Sequence, residues 1–294
     1  MSSSFFADRL AALVEERRSQ ICLGLDPDPA QLAAVEASGD APVAERVAEA
    51  VAAHCRSLIE RAGPACVAIK PQLACFERLG APGWAALANV CASASEAGLL
   101  TIADGKRGDV PVTAAAYAQA LVGETPTPLG PVPGLGVDAF TANPLLGEDA
   151  LEPLVAAAAE AGAGVFALVR TSNPGAAGIQ DLPAPEQPLH ESLAALVDSL
   201  SDRLLGESGL SGMGAVVGAT APQHITRLRE LMPRAVFLIP GVGAQGGQPE
   251  LLGPAFAPGP AAALVPVSRG IAAEPDPAIA AERLRATVWD VSTA

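Results

Sequence analysis

LLTIADGKRGDV, residues 99–110, starts as a short apolar run and ends in a burst of charge. Asp104, Lys106 and Asp109 fall within six residues there. On an extended strand, residues two apart leave the same face, so the spacing directs Asp104 and Lys106 together. Asp109 follows Arg107 and Gly108, where the chain is expected to have left the strand. The stretch therefore reads as a strand over 99–104 with a buried body and acid, base and acid at its C-terminal lip. A solvated loop would also be charged, so the rest of the chain has to decide.

Seven further apolar runs share this design. They lie near 21–25, 66–70, 137–141, 165–170, 215–219, 235–239 and 262–267. Helix-forming or helix-length segments separate them, at about 43–62, 83–97, 112–121, 148–161, 189–205, 225–231 and 277–288. Unbroken apolar runs indicate strands buried on both faces. Eight strands alternating with helices predict a single-domain (β/α)8 TIM barrel over residues 1–294. An open doubly wound sheet is the runner-up. A dinucleotide fold would want G-x-G-x-x-G after its first strand, where Gly24 stands alone. Ser3 or Ser4 can cap an N-terminal helix over about 4–18, striped by Phe6, Leu10, Leu13 and Val14. The Pro/Gly-rich segment 124–136, ETPTPLGPVPGLG, reads as an irregular insertion, since the strand–helix rhythm resumes after it; a domain boundary is the rival reading.

The chain is half hydrophobic, which supplies a sizeable core, and its net charge of −14 disfavours nucleic acid and anionic membranes as partners. An anionic substrate would need a local basic pocket. Five cysteines with no C-x-x-C fit reduced thiols and a cytoplasmic setting. Three scattered histidines, His54, His190 and His224, offer no metal-ligand spacing. No signal peptide or membrane span is expected.

A barrel of this kind carries its active site at the C-terminal strand ends. Those ends deliver Asp26, Lys70, Asp104 with Lys106, Thr141 with Asn143, Thr171 to Asn173, Thr220, the loop PGVGAQGG, and Ser268 with Arg269. Polar groups from nearly every strand thus gather on one rim. Gly241, Gly243, Gly246 and Gly247 let backbone N–H groups approach a ligand, and Ser268-Arg269-Gly270 adds a hydroxyl and a guanidinium. Barrels often bind phosphate at their seventh and eighth loops, and arginine suits it, so a phosphate monoester is the expected anchor. Turn formation alone would explain the glycines but not Gln245 and Arg269 beside them. Lysines flanked by carboxylates should stay protonated, which argues against a Schiff base and for proton donation or anion stabilisation. Asp104 with Asp109 could in principle hold magnesium, but two lysines nearby would repel it.

The motifs LGLDPDP, AIKPQ, ADGKRGDV, TANPLLG, VRTSNPGA, VGAT, PGVGAQGG and SRGI occur in this order. Together they resemble the orotidine 5′-phosphate decarboxylases, in the longer bacterial (type 2) subgroup. The resemblance implies a carboxy-lyase that converts orotidine 5′-monophosphate to uridine 5′-monophosphate in pyrimidine biosynthesis, with no cofactor and no metal. It implies Lys106 as proton donor to C6, Asp104 against the departing carboxylate, and Lys70 linking the acids and the ribose. Asp26 matches the ribose-binding aspartate, and Ser172 the pyrimidine-binding serine, with Thr171 beside it as the alternative. Gln245 and Arg269 match the phosphate grip, joined by Gly246, Ser268 and Gly270. Asp109 matches a residue supplied by the neighbouring subunit, with Thr113 from the same subunit, which implies a homodimer. Gly105 stands where the subgroup more often has alanine, and its flexibility would loosen the array.

A magnesium-dependent sugar-phosphate decarboxylase or synthase of the same barrel suprafamily is the alternative enzyme. Those proteins resemble D-x-K-x-x-D but carry an acid where Lys70 stands, so Lys70 speaks against them. A non-catalytic sensor of a phosphate ligand is a third reading, which the intact Asp104, Lys106 and Asp109 oppose.

Overall fold

The computed structural model describes residues 5–32, 41–183 and 186–294. Its strands are β1 (Ile21–Leu25), β2 (Ala68–Pro71), β3 (Leu100–Arg107), β4 (Ala139–Ala142), β5 (Gly164–Arg170), β6 (Ser211–Val217), β7 (Ala235–Leu238) and β8 (Ala263–Val267). They form one closed parallel barrel, with β1 pairing both β2 and β8. The expected (β/α)8 architecture is therefore the observed one.

Two-residue periodicity divides each strand between two apolar layers. Ile21, Leu23, Ile69, Phe140, Val165 and Val265 point outward into the layer shared with the helices. Cys22, Ala68, Ile102, Ala139, Phe166, Val236 and Leu264 point inward and fill the barrel. The helix Phe6–Arg17 closes the N-terminal end of that interior, adding Phe6, Ala7, Leu10 and Val14 to the inner cluster. The Phe6 and Phe166 rings meet edge to face at 5.8 Å, a favoured arrangement. A Cβ on Gly164 would lie 2.7 Å from the Phe6 ring, so a bare backbone is what lets the plug seat. Arg9 pairs with Asp138, whose other oxygen accepts the Thr101 N–H at 2.8 Å, pinning the plug to the barrel.

Several boundaries differ from the sequence reading. The second strand begins at Ala68, because Gly63–Ala65 forms a 3-10 turn whose carbonyl takes the Cys66 N–H. The sixth starts earlier, at Ser211, and ends at Val217. The helix expected over 189–205 stops at Ser199 and continues as a 3-10 turn, Ser201–Leu204. The last helix runs on to Thr293. Between β7 and β8 there are only 3-10 turns, Pro249–Leu251, Gly253–Phe256 and Pro260–Ala262. Prolines at the start of each turn fix φ, and none of the turns lengthens into an α-helix. Within the insertion, Glu124–Thr125 and Val132–Pro133 pair as a small antiparallel ribbon rather than an irregular loop. Its base is tied down by bonds from Gly134 N–H to the Gly123 carbonyl and from Leu135 N–H to the Ala120 carbonyl. Ser3 and Ser4 lie outside the described residues; the first described helix starts after Phe5 with no side-chain cap.

Candidate active site

The site is the next inward rung of the same periodicity. Two residues beyond Cys22, Ala68, Ile102, Ala139 and Phe166 stand Gly24, Lys70, Asp104, Thr141 and Leu168. Where the lower rung is apolar, this one carries an ammonium, a carboxylate and a hydroxyl. Asp26, Lys70, Asp104, Lys106, Thr141, Ser172 and Gln245 line the resulting cavity of about 580 Å³ at the C-terminal mouth.

Asp104 is its centre. Lys70 Nζ donates to Asp104 Oδ2 at 2.6 Å, and Lys106 Nζ donates to Oδ1 at 2.7 Å. Thr141 Oγ1 donates to Oδ1 at 3.0 Å and Gln72 Nε2 to Oδ2 at 3.3 Å. Burial by itself would raise the pKa of this carboxyl, but Lys70 and Lys106 outweigh it and hold it at about 2. Burial likewise works against the charge on Lys70. Asp104 and Asp26 overcome it and push the Lys70 pKa up. Asp104 and Lys70 are therefore both ionised throughout the neutral range.

Asp104 and Lys106 meet as the spacing predicts, but not on a regular strand. The β3–β4 register shifts between Ala103 and Arg107, and Lys106 adopts φ +49°. That left-handed backbone costs a side-chain-bearing residue about 1–2 kcal/mol. The Lys106 N–H is taken by Thr141 Oγ1 at 2.8 Å, and the Arg107 carbonyl by the Asn143 N–H at 2.8 Å. Gly105 is not a loose point. A Cβ there would lie 2.6 Å from Leu73 Cδ1, so the fully buried Leu73 already fills the space.

A smaller recess of about 100 Å³ adjoins the cavity, with Asp26, Lys70 and Gln245 in the walls of both. Ser268, Arg269 and Gly270 complete it. Among the described residues the exposed Arg269 guanidinium has no hydrogen bond or ion pair, so its donors are available to a ligand. Gly246, at φ +92°, turns the Gln245 loop back by donating to the Gly243 carbonyl at 2.7 Å, and Gly246 itself lies outside both cavity walls. Ser172 Oγ donates across to Gln245 Oε1 at 2.9 Å, joining the fifth and seventh loops. The Thr171 hydroxyl has other partners: it donates to Asn173 Oδ1 at 2.7 Å and accepts from Gln180 Nε2 at 3.0 Å.

Besides Gly246, two expected site residues stay apart from the cavity and its recess. Asp109 accepts the N–H of its neighbour Val110 at 2.8 Å, and Thr113 is exposed on the helix Pro111–Leu121. Neither lines the cavity of its own chain. Gln72 joins the site without having been predicted: the sequence marks it only by its place two residues after Lys70, on the same inward side.

The profile of the Orotidine 5'-phosphate decarboxylase / HUMPS family matches residues 19–284. This chain belongs to that family. An orotidine 5′-phosphate decarboxylase of Rhodopirellula baltica is 40% identical over 267 residues, covering 90% of this chain and 87% of that protein. One from Deinococcus radiodurans is 39% identical over 267 residues, covering 90% and 88%. Among solved structures, the OMP decarboxylase of Leishmania donovani superposes with a TM-score of 0.76 at 31% identity, covering 99% of each chain. That superposition spans the barrel of this chain from end to end.

Proposed function

We propose that Lys106 is the proton donor as this enzyme converts orotidine 5′-monophosphate to uridine 5′-monophosphate and CO2, the carboxy-lyase step of pyrimidine biosynthesis. The bond from C6 to the carboxylate breaks heterolytically. CO2 leaves, the electron pair stays on C6, and a proton from Lys106 Nζ fills it. The amine then regains a proton from solvent. The observation that carries this reading is one buried carboxylate held between two ammonium groups at the mouth. A positive charge fixed before the reaction needs no reorganisation when negative charge develops on C6. Asp104 lies against the departing carboxylate; repulsion there is secondary to stabilisation of the carbanion.

Lys70 holds Asp104 in place, and Asp26 binds the ribose. Arg269, Gln245, Ser268 and Gly270 grip the phosphate, and Gly246 turns the loop that presents Gln245; the Arg269 guanidinium, unengaged among the described residues, supports this reading. This remote grip can be used to order the charged array. Ser172 contacts the pyrimidine in preference to Thr171: the Thr171 hydroxyl both donates, to Asn173, and accepts, from Gln180, whereas the Ser172 hydroxyl only donates, to Gln245, among the described residues. The reaction uses no metal or cofactor. Both Asp104 oxygens accept from ammonium groups, so magnesium would have to displace a lysine. Asp109 and Thr113 serve the partner's site in a homodimer, consistent with their position off their own cavity and beside the exposed Val110 and Val112. A cytoplasmic setting agrees with five unpaired cysteines and with the lack, among the described residues, of any helix long and apolar enough to cross a membrane.

The test is spectrophotometric loss of orotidine 5′-phosphate. Lys106→Ala should lower kcat by at least about 10³-fold, and EDTA should leave the wild-type rate unchanged. Undiminished turnover by Lys106→Ala would reject the donor assignment. EDTA-sensitive activity on a sugar phosphate instead would favour the magnesium-dependent reading. Mixed Asp26→Ala and Asp109→Ala variants should regain activity as hybrid dimers; no recovery despite proven subunit exchange would count against a shared site.

A further inference from the structure

We infer that Thr141 is a positioning residue for the decarboxylation, its hydroxyl tying the backbone of Lys106 and the carboxylate of Asp104 into one unit. The inference rests on Lys106 being the proton donor. Thr141 is 1% exposed and sits on the inward rung of β4, two residues beyond Ala139. Its hydroxyl accepts from Lys106 N–H at 2.8 Å and donates to Asp104 Oδ1 at 3.0 Å. Both directions are forced, since an amide nitrogen only donates and an ionised carboxylate only accepts. The single hydroxyl proton is therefore spent on Asp104, and a lone pair on Lys106.

The consequence lies in what those two bonds hold. Lys106 is a flexible four-carbon side chain whose ammonium must point at one carbon atom. Its far end is anchored on Asp104 Oδ1 at 2.7 Å. Its near end leaves a left-handed backbone at φ +49° that the local sequence does not favour. Thr141 bonds to the N–H of that backbone and to the same oxygen that receives the ammonium. Both ends of the lysine are thus referred to one rigid β-branched side chain on the neighbouring strand. With both hydroxyl functions engaged, Thr141 acts on the reaction through Lys106 and Asp104.

The test compares Thr141→Val, which keeps the shape and removes the hydroxyl, with Thr141→Ser, which keeps the hydroxyl. Thr141→Val should lower kcat by about 10²-fold, the usual cost of a small displacement of a catalytic group, with KM for orotidine 5′-monophosphate little changed. Thr141→Ser should stay within about fivefold of wild type, a loss of hydroxyl-independent packing only. The double variant Lys106→Ala/Thr141→Val should be no slower than Lys106→Ala, because the lost bond has nothing left to position. Wild-type kcat in Thr141→Val would overturn the inference, as would equal losses in the Val and Ser variants or a rise in KM alone. Full turnover by Lys106→Ala would instead overturn the donor assignment beneath it, so the two failures are told apart. If thermal unfolding shows Thr141→Val to be unfolded, Thr141→Cys takes its place: a weaker hydrogen-bonding group of similar size should slow kcat, and a wild-type rate would again reject the inference.

Discussion

The two ends of the barrel are built on the same periodicity and do opposite things. At the N-terminal end, inward residues are apolar and the Phe6–Arg17 helix plugs the interior. At the C-terminal end, the next inward rung is Lys70, Asp104 and Thr141. The plug gains stability by removing apolar surface from water. The mouth is held by ionic bonds whose Coulombic gain is offset by the cost of desolvating the partners. Hence the closed end should carry stability and the open end activity, and each should be separable from the other.

The largest expected effect is at the mouth. Asp104→Asn keeps the size of the side chain but removes the charge that Lys70 and Lys106 face, and should lower kcat by at least about 10³-fold, or about 4 kcal/mol of transition-state stabilisation. A smaller loss would mean that Asp104 is only a spacer. Next comes the plug. Phe6→Ala should cost about 3 kcal/mol of unfolding free energy in denaturant titration, with kcat of the folded enzyme unchanged. A fall in kcat at temperatures where the variant is fully folded would show that the two ends are coupled. The smallest effect is on pH dependence. Because the folded pKa of Asp104 is depressed to about 2, its contribution is complete above the ordinary carboxyl value and is lost as pH falls through 2. Between pH 4 and pH 2 the wild type should lose about 2 kcal/mol more stability than Asp104→Asn. Parallel acid profiles would contradict the strength assigned to the Lys70 and Lys106 pairing.

The two ends also differed in how readily they could be read. The eight apolar runs located all eight barrel strands, since a strand buried on both faces has to be apolar throughout its length. Their edges slipped where local hydrogen bonding intervened, as at Cys66, whose N–H closes a 3-10 turn instead of entering β2. The insertion gave no sign of its ribbon, because two-residue strands have no periodicity to detect. At the mouth, residue type alone marked Lys70, Asp104, Lys106 and Arg269 as chemical groups. Gln72 and Thr141 escaped a role, because a neutral side chain acquires one only from what it touches.

Sequence by itself determined the barrel, the rim that carries the chemistry, and the ions that gather there. These follow from the period of apolar residues and from the scarcity of reasons to place charge at the end of a buried strand. Tertiary structure decided how those ions are arranged. Spacing predicted that Asp104 and Lys106 would share a face, yet their contact arises through a shifted register and a left-handed Lys106. The Thr141 hydroxyl receives that residue's N–H from a strand 35 positions away in sequence. It decided equally that Gly105 is packed against Leu73 rather than loose, and that Ser172 and Thr171, adjacent in the chain, turn their hydroxyls to different partners. The physical reason is common to all three. Periodicity is a property of one strand, whereas a hydrogen bond or a filled space belongs to two segments that only folding brings together.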